Sequence, residues 1–330
     1  MFANSESETK VTVGLCVKNS EKTIKECLES ILNQNYPKHL MEIIVVDGRS
    51  QDHTMNIIMK SISSSNMSAM FFCDEGKGIA SARQMVLDET NNNYVIFVDG
   101  DVLLSPDFVR AQIRFMQSHS GIAIAIGRFC YRKGLQKTLP ATLQGLAKHV
   151  DTLEWAKRAR VKRKKPSGFP TNDASIYLVE ASKRVGGFDK TITGASEDED
   201  IIIRMKKQGW LIALNEQAKF FALSRETWQA LWKENVWFGY GKHFLSHKYQ
   251  DGHFFLHNLP LIYIYVGFKQ SLRCYRLTSQ KKSVLLPLLG FFYATSLYFG
   301  FIRAHQEGYG HKKVHFARAS AKSVALGDGI

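Results

Sequence analysis

The chain has 330 residues, of which 45% are hydrophobic and 22% charged, so it can form a sizeable core and is not a disordered chain. Its mean hydropathy of -0.19 excludes a polytopic membrane protein. The formal net charge of +14 indicates either a solvated basic surface or attraction to polyanions such as nucleic acid, anionic lipid and phosphorylated ligands.

The cysteines and the N-terminus indicate a reducing, cytoplasmic setting. The five cysteines are widely spaced and form no CxxC pair, so the sequence predicts neither a cysteine zinc site nor a disulfide framework. Residues 1–10 are polar and acidic, without the apolar stretch of a signal peptide. We expect a short N-terminal tail followed by a body that stays in the cytoplasm.

Strand and helix patterns alternate in the N-terminal part of the chain. Apolar runs typical of buried strands occupy Val11–Val17, Met41–Val46, Ala69–Cys73 and Tyr94–Val98. Helical spacing of apolar residues occupies Ser20–Leu32, a segment from Asp52 or Thr54 to about Ser61, and Ile79–Glu89. This order predicts a parallel, doubly wound sheet whose ligands bind at the carboxyl ends of the strands.

The pattern after Ile122 is less regular. It predicts helices over Leu135–Ala156, Glu180–Val185, Asp200–Gln208 and about Trp228–Phe244, and strands over Ala174–Val179 and Trp210–Leu214. Between them, Lys157–Lys165 reads KRARVKRKK, which is typical of a solvated loop.

Two apolar segments lie near the C-terminus. Val284–Ile302 carries no formal charge, and its length suits either a crossing of a hydrocarbon layer of ~30 Å or a buried helix. Phe254–Phe268 is shorter and contains Pro260, which favours an interfacial or re-entrant segment. We therefore expect residues 226–330 to form a helical, membrane-associating region behind a domain at 11–225.

The sharpest chemical signal is VIFVDGDVLL. Asp99 and Asp101 leave a predicted buried strand with Gly100 between them. Two carboxylates this close repel one another unless a cation lies between them. Carboxylate oxygens suit Mg²⁺ or Mn²⁺, which also bind phosphate oxygens and neutralise a leaving diphosphate. The pattern predicts a divalent metal site there.

Asp47 ends the second predicted strand, in IIVVDGRSQDHT. An acidic acceptor at this position suits a hydrogen bond to a base or ribose. For Asp52, five residues later, we favour a structural role as a helix cap.

The segment GKGIASARQ places glycines before a predicted helix. Such glycines let backbone amides approach an anion, and Lys77 and Arg83 add positive charge. The segment is neither a P-loop nor a GxGxxG turn.

Four consecutive acids, Glu197 to Asp200, precede the predicted helix in SEDEDIIIRMKKQG. Acids commonly favour helix N-termini. A cluster this dense also raises carboxylate pKa values, which suits a general base acting on a sugar hydroxyl.

Six motifs follow one another in the order of a known family. They are the opening strand ending in Asn19, VVDGRSQDHT, GIASARQ, VDGD, VGGFD and SEDEDIIIR. The stretch from Val11 to about Lys248 thereby resembles a family 2 glycosyltransferase with the GT-A fold, an α/β fold with a Rossmann-like, doubly wound, mostly parallel mixed sheet. The segment LSRETWQALWKENVWFGYGKHF resembles membrane-attached members that build exopolysaccharides and lipid-linked glycans.

The resemblance assigns roles to individual residues. Asp47 would hold the base, with Lys18 and Asn19 close to the nucleotide. Asp99 and Asp101 would bind the nucleotide sugar and the metal, Asp101 being the more direct ligand.

The same resemblance places catalysis at the acidic cluster. Arg83 would lie near the donor, Asp198 would be the catalytic base beside Glu197, and Asp200 and Arg204 would support them.

The chain departs from the family at the metal site. Many members have a histidine near the position of Phe221-Ala222, and this chain has none there. His243 and His247 are alternative ligands, although a histidine among aromatic residues is more often structural. The third metal ligand therefore stays open.

Other departures concern the opening strand and processivity. The family often has Pro-Thr where this chain has Cys16-Val17, and Asn where it has Gln84. The QxxRW signature of processive synthases is missing, which favours addition of single sugars over polymerisation.

The expected function is inverting transfer of a sugar from a UDP- or GDP-linked donor to a hydroxyl of a lipid-linked or glycan acceptor. The work would occur at the cytoplasmic face of an anionic membrane, in polysaccharide biosynthesis or protein glycosylation. One alternative is transfer to a polyprenyl phosphate, which needs no base. A non-catalytic nucleotide-sugar or anionic-polymer binding protein is another. We expect no nucleic-acid partner, because acid clusters would repel phosphates.

Overall fold

A computed structural model describes residues 9–162, 173–250 and 260–310. The chain divides into two compact units after Glu226, with the exception of Gly194–Ser196, which belong to the second unit.

The first unit contains one sheet. Its strands are β1 (Val11–Val17), β2 (Met41–Asp47), β3 (Ser68–Cys73), β4 (Tyr94–Asp99), β5 (Val102–Leu104), β6 (Ile122–Phe129), β7 (Ala174–Leu178) and β8 (Leu211–Ala222). The helices of this unit are α1 (Ile24–Leu32), α2 (Thr54–Ser63), α3 (Ile79–Glu89), α4 (Phe108–Ser118), α5 (Leu139–Lys162), α6 (Val179–Arg184) and α7 (Glu197–Lys207).

The strand order in the described residues is β3-β2-β1-β4-β7-β6-β8-β5. Strands β3, β2, β1 and β4 are parallel, β7 runs antiparallel to both β4 and β6, and β8 runs parallel to β6. The chain order reverses direction between β1 and β4, which is where open α/β sheets bind ligands. The predicted α/β class with a mostly parallel, mixed sheet is confirmed.

Helices cover both faces of the sheet, which is why its central strands are continuous apolar runs. In β2, Ile43 and Val45 face a core that includes residues of α1, α2 and α4. Ile44 and Val46 face the opposite core, which includes residues of α3, α6 and α7. The alternation of side chains along a strand therefore buries Ile43 to Val46 on both faces of β2.

Three local predictions are corrected. The segment predicted as a basic loop is helical as far as Lys162, because α5 continues through it. The rest of that loop lies outside the described residues. The short β5 and the longer β6 were not predicted from the sequence. The four acids form the first turn of α7 rather than preceding it.

The described part of the second unit is helical. Its helices are α8 (Trp228–Tyr249), α9 (Pro260–Thr278) and α10 (Leu286–Gln306), with a 3-10 turn at Lys281–Leu285. Within Lys281–Gln306, a stretch of 18 residues has a mean hydropathy of 1.7, and the segment is long enough to cross a membrane. The N-terminal half of the predicted segment 254–268 lies outside the described residues, and its remainder belongs to the longer α9.

Candidate functional site

The carboxyl ends of the central parallel strands meet at one edge of the sheet. Val17 of β1 pairs with Asp47 of β2, and Cys16 of β1 pairs with Asp99 of β4. Three strand ends that are distant in sequence therefore lie side by side, at the topological switch of the sheet.

Asp47 organises the loop that follows β2. Its carboxylate accepts hydrogen bonds from the Ser50 amide and from Ser50 Oγ at 2.6 Å. Ser50 Oγ in turn accepts from the Asn19 amide at 2.9 Å, and Asn19 Oδ1 accepts from the Gln51 amide at 2.8 Å. The predicted nucleotide-binding residues Asn19 and Asp47 thus belong to one hydrogen-bonded pair of loops.

Lys18 lies over the same loop. A Cβ added at Gly48 would be 3.3 Å from both Cβ and Cδ of Lys18, so this side chain packs across the backbone that follows Asp47. The absence of a side chain at Gly48 leaves room for that contact.

Asp52 lies one residue before His53, the N-cap residue of α2, so it is not the cap itself, but it does bind the start of that helix. Its carboxylate accepts from the amide and the hydroxyl of Thr54, the first residue of α2, and from the Glu21 amide at 3.1 Å. It therefore fixes the start of α2 against the loop after β1.

Arg83 joins the two acidic motifs. This residue of α3 is 5% exposed, and its guanidinium donates to Asp99 at 2.9 Å and to Glu197 at 2.7 Å. It also lies 5.6 Å from the centre of the Phe97 ring. The buried guanidinium therefore fixes the end of β4 against the first turn of α7.

Glu197 is held in an environment that favours its neutral form. Burial raises the pKa of Glu197 to about 8, against the opposing attraction of Arg83. The nearby carboxylate of Asp198 adds to the rise. Burial likewise raises the pKa of the Cys16 thiol to about 12, so this cysteine is not a nucleophile here.

The side chain of Asp99 is more exposed than that of Glu197, the other carboxylate that Arg83 binds. Burial raises the pKa of Asp99, Arg83 opposes that rise, and Asp173 and Asp101 add to it. The side chain is nevertheless 38% exposed, so water helps to stabilise its ionised form. Several carboxylates thus surround the end of β4 within electrostatic range of one another.

Asp101 faces a second cation. It forms an ion pair of 3.2 Å with Arg225, which is 41% exposed. An exposed arginine exchanges its partner at a low energetic cost, because surface ion pairs contribute about 0–1 kcal/mol. Asp101 is therefore better placed than Asp99 to take a metal ion, since Asp99 is bound to a buried guanidinium.

Three residues of this edge were missed by sequence reasoning. No motif in the sequence marks Asp173. It directly precedes β7, and its carbonyl accepts a hydrogen bond from the Asp99 amide at 3.0 Å. Its carboxylate pairs with Lys148 of α5. Only the antiparallel pairing of β7 with β4 would have placed Asp173 beside Asp99, and nothing local distinguishes Lys148 or Arg225.

Asp198 lies beside the same cluster. Its Oδ1 accepts from the Glu199 amide at 2.8 Å, and its side chain is partly exposed. Its charge contributes to the high pKa of Arg83 and to that of Glu197. The predicted base is therefore within electrostatic range of Arg83 and Glu197.

Asp200 and Arg204 hold α7 in place. Asp200 is fully buried and pairs with Arg204 at 2.6 Å, and Arg204 Nη1 donates to the Val185 carbonyl at 2.6 Å. Gln84 Oε1 accepts from the Phe188 amide at 2.6 Å. The VGGFD motif is thus a turn bound by α3 and α7.

The amides before α3 already have a partner. The buried Asp74 carboxylate accepts from the amides of Gly76 and Gly78 at 2.7 and 3.0 Å. The anion that these glycines approach is therefore a side chain of the protein itself, and Lys77 pairs with Glu75 at 3.3 Å.

The charge balance suits a divalent cation. The named carboxylates here are Asp99, Asp101, Asp173, Glu197 and Asp198, and the cations paired with them are Arg83, Lys148 and Arg225. If all five acids are ionised, as a bound cation beside them would favour, they leave a formal excess of two negative charges over the three bases. Hard oxygen ligands of this kind fit Mg²⁺ or Mn²⁺.

The two histidines considered as further ligands belong to the second unit. His243 and His247 lie on α8, with ring centroids 4.4 Å apart, and His243 also contacts His305 of α10. They form a cluster of their own.

The sequence is similar to those of known glycosyltransferases. Residues 12–186 match the sequence model of the family described as "Glycosyl transferase family 2". The chain is 24% identical over 266 residues to a probable glycosyltransferase, YdaM of Bacillus subtilis, covering 79% of this chain and 61% of that protein. It is 25% identical over 217 residues to the poly(ribitol-phosphate) beta-N-acetylglucosaminyltransferase TarS of Staphylococcus aureus. That match covers 63% of this chain and 34% of TarS.

A solved structure shares the fold. The mannosyltransferase PcManGT from Pyrobaculum calidifontis, in complex with GDP-Man and Mn²⁺, superimposes with a TM-score of 0.60 at 14% identity. The match covers 90% of this chain and 87% of that one. The predicted GT-A architecture is thereby confirmed.

Proposed function

Since the chain belongs to glycosyl transferase family 2, we propose that it moves a sugar from a UDP- or GDP-linked donor to a hydroxyl of a lipid-linked or glycan acceptor. The matches cover 61% of YdaM and 34% of TarS. The proposal therefore concerns the activity of this chain and does not carry over the activities of those longer proteins.

The double ion pair of Arg83 is the observation that carries this proposal. It joins Asp99, at the end of β4, to Glu197, at the start of α7. A donor-binding carboxylate and the turn that carries the proposed base are thereby held together. Such a rigid arrangement is what positions two reactants for direct displacement.

The donor would lie across the ends of β1, β2 and β4. Asp47 would accept a hydrogen bond from the base, and the adjacent loops that carry Lys18 and Asn19 would contact the nucleotide. The hydrogen bonds that order these loops support this assignment, because a preorganised site loses less entropy on binding.

Asp101, with Asp99 beside it, would hold Mg²⁺ or Mn²⁺. The metal, when bound, stabilises charge on the departing nucleoside diphosphate. The two aspartates supply few ligands between them, so donor phosphate oxygens and water would complete the coordination.

Asp198 would act as the general base. Its partly exposed carboxylate would take the proton of the acceptor hydroxyl, and the oxygen would attack the anomeric carbon from the face opposite the leaving group. This displacement inverts the anomeric centre. Glu197, Asp200 and Arg204 would position the turn, since their bonds are internal to the protein.

The second unit supports action at a membrane. On α9, Leu261, Tyr265, Phe268 and Leu272 recur at helical spacing, and each is at least 55% exposed. Such a stripe suits the interface between headgroups and acyl chains. On the same helix, the basic side chains of Lys269, Arg273 and Arg276 are exposed and would attract anionic lipid.

The decisive experiment replaces the proposed base. Asp198→Asn should lower transfer from a nucleotide sugar to a hydroxyl acceptor by at least about 10²-fold, a typical contribution of a general base. Donor binding, measured by calorimetry, should stay close to wild type.

Glu199→Gln is the matched control, because Glu199 is the next acid in the same helical turn. It should retain most of the activity. Full turnover by Asp198→Asn with a hydroxyl acceptor would reject the role of Asp198. Transfer by that variant to a polyprenyl phosphate would instead favour the alternative in which the acceptor needs no base.

A further inference from the structure

Three histidines converge in the second unit. His243 and His247 lie one helical turn apart on α8, and His305 lies on α10. One ring nitrogen from each lies within 4.8 Å of those of the other two. Nε2 of His243 and Nδ1 of His305 are 3.3 Å apart.

Close packing of the two helices brings these rings together. A Cβ added at Gly239 would lie 2.1 Å from the Leu297 carbonyl oxygen, and one added at Gly300 would lie 2.0 Å from the Val236 carbonyl oxygen. The backbones of α8 and α10 therefore touch where glycine permits it. Near the start of both helices Trp228 contacts Phe292, and near their ends His243 contacts Phe301 and His305, so the pair is parallel and its C-terminal turns meet.

The cluster is enclosed on one side and open on the other. His243 is fully buried and packs against the Phe301 ring, with centroids 4.8 Å apart. His247 is partly exposed and His305 is exposed. An ion could enter from the side of His305, and the apolar wall would strengthen its bonds to the ring nitrogens.

The distances fit a metal better than a chain of hydrogen bonds. Two nitrogens bound tetrahedrally to Zn²⁺ at about 2.0–2.1 Å lie about 3.3 Å from one another. The His243–His305 separation has this value, and a small side-chain rotation of the partly exposed His247 would bring its nitrogen into the same range. A single hydrogen bond between His243 and His305 would use only two of the three converging rings.

We propose that His243, His247 and His305 form a binding site for Zn²⁺, with water as the fourth ligand. Neutral imidazoles are the ligands of borderline-soft divalent metals, whereas Mg²⁺ prefers oxygen. Two histidines at i and i+4 on one helix, completed by a third from a neighbouring element, present three nitrogens to one point. The cysteine pattern gives no hint of this site, since its ligands are histidines up to 62 residues apart.

The bound ion would fasten α8 to α10. The two helices are separated in sequence by α9, and the ion would add a direct bond between their C-terminal turns. Metal binding to the folded state alone raises its stability in proportion to the logarithm of the metal concentration. The site would therefore strengthen the helical unit independently of the acidic site in the first unit.

The test uses the full-length, metal-stripped protein titrated with Co²⁺, a spectroscopic substitute for Zn²⁺. Wild type should bind one equivalent with the intense visible bands of tetrahedral Co²⁺, and Zn²⁺ should displace it. The double variant His247→Gln/His305→Gln should lose these bands and bind Zn²⁺ at least about 100-fold more weakly. Both positions reach solvent, so the variant should still fold, as circular dichroism would check.

Two controls separate this site from others. His39→Gln, at an exposed position of the first unit, should keep the full signal. Asp99→Asn/Asp101→Asn should also keep it, because those carboxylates belong to the proposed Mg²⁺ or Mn²⁺ site. The proposal is overturned if wild type shows no tetrahedral Co²⁺ signal, or if the double histidine variant binds Zn²⁺ as tightly as His39→Gln.

Discussion

Arg83 and Glu197 are 114 positions apart in the sequence, yet their side chains form a buried ion pair of 2.7 Å. Arg83 also pairs with Asp99, so one guanidinium serves two carboxylates. Burying charge is costly unless it is paired, and this pairing makes α3, α7 and the end of β4 interdependent.

Removing the Arg83 guanidinium should therefore lower the stability of the protein. Above pH 8, where Glu197 is ionised, Arg83→Met leaves this buried carboxylate beside Asp99 without a counter-charge, and we expect the free energy of unfolding to fall by roughly 3–5 kcal/mol. Urea denaturation measures this loss. Lys25→Met, which removes an ion pair exposed on both sides, should cost at most about 1 kcal/mol. Equal losses in both variants would contradict the buried bridge.

Glu197 should make stability depend on pH. Its pKa is raised from an ordinary value of 4.5 to about 8, so the folded state keeps a proton that the unfolded state releases between these values. The free energy of unfolding contributed by this group therefore falls as pH rises through that window. Glu197→Gln cannot titrate and should flatten this slope.

Urea denaturation at several pH values between about 5 and 8 checks that slope. Glu29→Gln, at an exposed position of α1, should keep the wild-type slope. A Glu197→Gln variant whose stability declines with pH as steeply as wild type would show that another group is responsible.

The VGGFD turn offers a matched pair of glycines. Both Gly186 and Gly187 have positive φ, at +86° and +67°. A Cβ at Gly187 would lie 2.1 Å from Gln84 Oε1, whereas one at Gly186 meets nothing within 4 Å. Gly186→Ala should cost about 1–2 kcal/mol from backbone strain alone. Gly187→Ala should cost more, because it also displaces the bond from Phe188 to Gln84; equal costs in urea denaturation would refute that contact.

Metal removal should stop the proposed transfer. A chelator should abolish turnover and Mn²⁺ should restore it, because Asp101 and the donor phosphates would share the ion in the proposed site. Asp101→Asn should raise the Mn²⁺ concentration for half-maximal rate by at least about tenfold, given the loss of a charged ligand. Asp107→Asn, which removes an exposed carboxylate beside Asn35, should leave that concentration unchanged. Metal-independent turnover would count against the assignment.

The apolar stripe of α9 should bind vesicles. Wild type should float with vesicles rich in anionic lipid and less with neutral ones, and added salt should weaken the binding. Phe268→Glu/Leu272→Glu should release the protein, because two charges would enter the apolar layer. Met59→Glu, at an exposed apolar position in the first unit, should float like wild type. If the double variant floats like wild type, the apolar stripe of α9 is not the surface that binds the membrane.

Local patterns predicted much of the sheet. The runs that form β1, β2, β3 and β4 were recognised from continuous apolar residues, and α3 was predicted with its observed limits, Ile79–Glu89. Asp47 and Asp99 were found because each directly ends such a run. Hydrophobic periodicity and strand ends are local properties of a chain, so a single sequence is enough to reveal them.

Other features had no local signal. The helix α5 continues to Lys162 through residues whose composition predicted a loop. Asp173 became part of the site only because β7 pairs antiparallel with β4.

The sequence by itself determined the family, the class of fold and the carboxylates at the strand ends, because motifs and periodicity are written in neighbouring residues. Only the tertiary structure determines that Arg83 pairs with both Asp99 and Glu197. It also determines that Asp74 accepts hydrogen bonds from the amides before α3, and that His305 contacts His243. Each of these is a contact between distant segments. Such contacts form only when burial of apolar surface brings whole elements together and obliges the polar groups between them to find partners.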